Sequence, residues 1–90
     1  MKGAIVLCAN SYDYPLSPKN GSDFAMSELY AHLRCDTIEI VQHPKDKDVL
    51  LIMDEDGKLK HRPINDLVSS FFHNQVVVGD VIMCEKSFLK

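Results

Sequence analysis

Two apolar stretches decide the fold: Thr37-Ile38-Glu39-Ile40-Val41 and Val49-Leu50-Leu51-Ile52-Met53, with His43-Pro44-Lys45-Asp46-Lys47-Asp48 between them. The first is β-branched and partly alternating, which suits a pleated strand with Glu39 on its outer face. Pro44 ends that strand because it has no N–H for a ladder, and the charges after it suit a solvated turn. The second run follows closely enough to return as a hairpin partner. Upstream, Gly3-Ala4-Ile5-Val6-Leu7-Cys8-Ala9 is continuously apolar and stops at Asn10-Ser11. A short run of this kind predicts a central strand covered on both faces. Downstream, Val76-Val77-Val78, Gly79-Asp80 and Val81-Ile82-Met83-Cys84 read as one interrupted strand or a tight pair, with Gly79 as a bulge.

Helical signals occupy the gaps. Ser22 can cap a helix whose first turn holds Asp23, and Met26, Leu29, Tyr30 and Leu33 then recur at i, i+3, i+4 and i+7. Glu28, His32 and Arg34 fall off that stripe. After Pro63, Asn65 or Asp66 can cap a short helix carrying Leu67, Val68, Phe71 and Phe72, closed at Asn74. Asp54-Glu55-Asp56-Gly57 turns the chain, and Lys58-Leu59-Lys60 continues as a short extended segment. Residues 11–22 hold two Pro, one Gly and two Tyr without any period. They form a loop that wraps the core through Tyr12, Tyr14 and Leu16 or serves a function. The order strand, helix, hairpin, short helix, strand predicts one α+β domain over residues 1–90. Its sheet is small, mixed or antiparallel, with about four to five strands, and one longer and one short helix pack on one face.

Composition narrows the function. The 90 residues are 46% hydrophobic and 26% charged, the balance of a globular domain rather than a disordered one. Ten Lys and Arg against thirteen Asp and Glu give a net charge of -3, so a nucleic-acid partner is not expected. No apolar run approaches the ~18 residues that a membrane span needs. Cys8, Cys35 and Cys84 cannot all pair and show no CxxC spacing, so reduced thiols and a cytoplasmic setting are expected.

Candidate chemistry is sparse. The consecutive acids Asp54, Glu55 and Asp56 lack the spaced ligands of a calcium loop. His32, His43, His61 and His73 sit on four different elements with no ligand spacing, so no metal or other cofactor is expected. Cys8 and Cys84 lie within apolar strands, where a thiol behaves as a small hydrophobe, and Cys35 follows a helix C-terminus that disfavours a thiolate. Catalysis is not expected. The local basic cluster Lys58-Leu59-Lys60-His61-Arg62 adjoins Asn65, whose amide both donates and accepts. Lys58, Lys60, Arg62 and Asn65 are therefore the candidate binding residues, with Tyr12 and Tyr14 available for stacking.

From Leu29 onward the chain resembles a family of small uncharacterised proteins of bacteriophages, plasmids and their bacterial hosts. The resemblance rests on Thr37-Ile38-Glu39-Ile40-Val41, Met53-Asp54-Glu55-Asp56-Gly57-Lys58-Leu59, Pro63-Ile64-Asn65 and Val78-Gly79-Asp80-Val81-Ile82. It departs from that pattern in the long 11–22 loop and at His61-Arg62, where many relatives are apolar. The resemblance implies a mobile-element setting and no activity. Two expectations follow: a non-catalytic accessory protein that binds a host protein in a counter-defence or host-modulating role, or a binder that sequesters a nucleotide-like small molecule. The oligomeric state stays open, a homodimer included. Sequestration calls for a concave site with aromatic and basic groups together, host-protein binding for a flatter patch.

Overall fold

The computed structural model describes residues 4–10 and 12–89. Gly3 of the opening run and Ser11 of the loop lie outside the described residues. Within them the chain forms a five-stranded antiparallel sheet: β1 (Ala4–Leu7), β2 (Asp13–Leu16), β3 (Ile38–His43), β4 (Asp46–Asp54) and β5 (Val81–Glu85). Their order across the sheet is β2-β1-β5-β4-β3. Helix α1 spans Met26–Leu33 and helix α2 spans Asp66–Ser69, and a 3-10 turn follows β5 at Lys86–Phe88. This is the α+β class that the alternation of apolar runs predicts.

The hairpin forms, with Ile38 opposite Asp54 and Val41 opposite Leu51 and a register shift between Gln42 and His43, but its turn is Pro44-Lys45 alone and β4 already starts at Asp46 rather than at Val49. The 11–22 loop holds a strand that periodicity did not reveal. β2 pairs with β1, Val6 opposite Tyr14 and Ile5 opposite Pro15. Pro15 is tolerated because β2 is an edge strand. Tyr14 and Leu16 pack on the core, as a wrapping loop requires, while Tyr12 is 67% exposed. Residues 76–78 do not join β5; Val78 makes only an isolated bridge to Ile64. The Lys58-Leu59-Lys60 segment is not extended either, since residues 55–61 turn continuously.

Strand alternation sorts the core onto two faces. Ala4, Val6, Ile52, Ile82 and Cys84 point to one side, where Leu29 and Leu33 of α1 and Phe24 cover them. Leu7, Leu51, Met53 and Val81 point to the other, beneath Val68 of α2 and Val77. The two helices therefore pack on opposite faces, not on one. The reason is that β1, β4 and β5 are apolar on both sides, and each side needs a cover.

Helix α1 starts later than the Ser22 cap implies. Its N-cap is Ala25, without a side-chain cap bond. Asn20 organises the preceding turn instead, its Oδ1 accepting the N–H groups of Ser22 and Asp23. Of the apolar stripe, Leu29 and Leu33 are buried and Tyr30 packs beside them, but Met26 is half exposed at the helix start. Arg34 ends the helix in the left-handed region at φ 53. The 3-10 turn closes this side, with Phe24 N–H donating to Phe88 O at 2.9 Å and the two rings meeting edge to face.

Leu29 is fully buried. Leu29→Ala should therefore cost on the order of 2–5 kcal/mol in chemical denaturation, the cost of emptying a packed leucine site.

Candidate functional site

The acidic turn is built around Asp54, the last residue of β4. Its side chain is only 3% exposed, and its Oδ2 accepts from Lys60 Nζ and Arg62 Nε, each at 2.9 Å. Its Oδ1 accepts the Asp56 N–H and so fixes the first residues of the turn. Burial pushes the Asp54 carboxyl up, but hydrogen bonds from Lys60, the Asp56 backbone and Arg62 outweigh it and leave the pKa below the ordinary value.

Arg62 reaches further. Its second guanidinium nitrogen, Nη2, donates to the carbonyl of Arg34 at 2.7 Å, so one side chain joins the end of α1 to the end of β4. Its aliphatic stem lies against Gly79, where an added Cβ would stand 2.9 Å from Arg62 Cδ. Gly79 also has φ +78. Positive φ and close approach together require glycine there, in a turn rather than in a strand bulge. Of the three cations expected as binding residues, two are thus taken up within the fold. Lys60 and Arg62 are engaged by Asp54, and Lys58 alone of the three has no ion pair among the described residues.

Asn65 caps α2 as expected, its Oδ1 accepting the Val68 N–H at 3.1 Å. It is not a surface residue, being 1% exposed. Both amide N–H groups are used, donating to Leu7 O at 2.9 Å and Gly79 O at 3.0 Å. Ser69 steadies the following loop, its Oγ accepting the Val77 N–H and donating to Val77 O.

That loop walls a groove of about 480 Å³ on the α2 face of the sheet. Val41, Met53, Phe72 and Val77 supply its apolar surface, and Glu39, Glu55 and Lys58 supply charge. Residues 74–76 add amide and backbone groups along one side. Asn74 turns that wall with φ 60. Lys58 is the one residue of the expected binding set that lines this groove. Tyr12 and Tyr14 stand elsewhere, with ring centroids 6.4 Å apart at the β2 edge. Three strand spacings, roughly 14 Å, separate β2 from β4. The groove was not legible in the sequence because it draws on β3, the β4 turn and the 72–78 loop, which only the register brings together.

The thiols are quiet. Burial raises the pKa of Cys8, with Asp80 and Asp13 adding to it, and burial followed by Asp54 raises that of Cys35. Cys84 is fully buried and pushed up to about 11. Each shift leaves less thiolate at neutral pH. No group of three or more His, Cys, Asp or Glu side chains among the described residues is placed to hold a metal ion. Among the same residues, no helix is long and apolar enough to cross a membrane.

Asn65→Ala would take one hydrogen bond each from the Leu7 and Gly79 carbonyls and from the Val68 N–H, all inside the core. The loss in urea denaturation should exceed ~2 kcal/mol, the upper end for a simple helix cap. Asp54 predicts an acid limb. Because its native pKa is depressed, its contribution is complete above the ordinary value of 3.8 and is lost as pH falls through the lower native value. Stability measured against pH should therefore fall less steeply below pH ~4 in Asp54→Asn than in the wild type.

No curated protein and no solved structure matches the chain. A family model does, over residues 2–87, and its description is a domain of unknown function, DUF3846. The match takes in all five strands and both α-helices just described. The chain is a member of the DUF3846 family.

Proposed function

We propose that this chain is a non-catalytic accessory protein of a phage or other mobile element, working in the host cytoplasm by binding a host protein through the groove on the α2 face. The groove is concave, the shape expected of a sequestering site rather than of a flat patch, so the observation that carries this reading is the charge and apolar surface of its lining. Its surface joins Val41, Met53 and Phe72 to the charges of Glu39, Glu55 and Lys58, the apolar-and-charged mixture on which protein surfaces dock. The resemblance carried by the acidic turn and the Pro63-Ile64-Asn65 step supports the mobile-element setting. The raised thiol pKa values and the engagement of Asp54 by two cations support a role without a nucleophile.

Two observations weigh against the nucleotide-like ligand. Phe72 and Lys58 both line the groove, but Glu39 and Glu55 share it and would repel a phosphate. The tyrosines expected to stack on a base stand at the β2 edge, far from Lys58.

The test pairs affinity capture with a ligand screen. Lys58→Glu combined with Val76→Asp changes two exposed groove residues, which should alter stability by less than about 0.5 kcal/mol. A host protein held by the wild type and lost by this variant, at unchanged melting temperature, is the expected result. Equal capture by both proteins would remove the groove from the reading. A nucleotide that raises the melting temperature of the wild type would favour sequestration instead.

A further inference from the structure

The two edges of the sheet are unlike. β2 is four residues long and carries Pro15, whereas β3 is six residues long, Ile38–His43, with no Pro, Lys or Arg. Such an edge offers unpaired backbone groups to another strand. The phase of those groups follows from one bond. Glu55 N–H donates to Thr37 O at 3.2 Å, so Thr37 and Glu55 form a hydrogen-bonded pair beyond the end of the ladder. Alternation in an antiparallel ladder then turns the backbone of Glu39 and Val41 inward to β4. Ile38, Ile40 and Gln42 turn theirs outward, all before the register shift between Gln42 and His43. Ile40, at the centre, is 48% exposed.

From this edge we infer that the chain forms a symmetric homodimer by antiparallel pairing of β3 with β3 of a second copy, centred on Ile40. This goes beyond the proposed function and does not depend on it. The register is self-complementary. Ile40 meets Ile40, and Ile38 meets Gln42 twice, so every outward N–H and C=O of these residues finds a partner. On the α2 face Glu39 stands opposite Val41 of the second copy, so like charges do not face each other directly. At each end Asp36 of one copy meets the Pro44-Lys45 turn of the other, which brings opposite charges together. A register one pair further along would set Ile38 against Pro44, which has no N–H to give. The contact is isologous and closes at two copies, because each chain has a single β3 edge. It also keeps the two α2 faces on the same side and sets their grooves next to each other across the seam.

Static light scattering on size-separated protein over a concentration series is the first measurement. The expected mass rises from 10.2 kDa towards twice that value in the wild type. Ile40→Pro removes only an outward N–H, so it should hold the protein at the monomer mass with an unchanged circular dichroism spectrum. Ile40→Lys does the same by charge if the proline variant does not fold. Register is read by Ile40→Cys under mild oxidation, which should cross-link to a dimer. Leu59→Cys, at an exposed turn position, and the wild type should not cross-link. A wild-type mass that stays monomeric throughout overturns the proposal, as does a dimer that Ile40→Lys leaves intact. Binding of an extended peptide to β3 of a monomeric wild type would also overturn it, by assigning the edge to a different occupant.

Discussion

The buried side chain of Asn65 is the interaction on which the rest of the structure depends. One amide joins the end of β1, through Leu7 O, to the turn before β5, through Gly79 O, and caps α2 as well. An amide suits this place because it offers two donors and an acceptor in one plane without a charge to desolvate. Its own backbone N–H donates to Val77 O, so the 74–78 segment is held from the same residue. The groove wall is thus an outgrowth of a core contact, and its shape is inherited from the sheet.

At the same end of the sheet, Asp54 does for the end of β4 what Asn65 does for the end of β1. A carboxylate at the end of β4 would be costly to bury alone, and two cations from the following turn offset that cost. Arg62 then carries the connection on to α1 through the Arg34 carbonyl. The turn is consequently a structural knot, not a free charged loop. Its one remaining cation, Lys58, faces the groove together with Glu39 and Glu55. Charges that hold the turn and charges that line the groove thus both lie within residues 54–62, divided by which of them reach Asp54.

The sheet separates its tasks in a similar way. β1, β5 and β4 are apolar on both faces and need a cover on each, which places α1 and α2 on opposite sides. α2 is a single short turn of helix, and it leaves β3 and the end of β4 partly uncovered. The groove follows from that incomplete cover, and the open β3 edge from its place at the end of the strand order.

Elements with local signals were legible in the chain before any contact was known. The hairpin showed in two apolar runs around Pro44, α1 in the Leu29 and Leu33 spacing, and the α2 cap in Asn65. These depend on neighbours within a few residues, so periodicity and capping chemistry suffice to read them. β2 was hidden because Pro15 and the polar residues around it mask a strand that exists only by pairing with β1. The roles of the candidate site residues were hidden for a similar reason. Lys60 and Arg62 look free until Asp54 is seen to be buried, and Asn65 looks exposed until β1 and Gly79 close over it. Which helix covers which face, which charges are neutralised and where the groove lies were decided only by the tertiary structure. Each depends on contacts between residues far apart in the chain, such as Leu7 with Asn65 and Arg34 with Arg62, and no local pattern encodes such contacts.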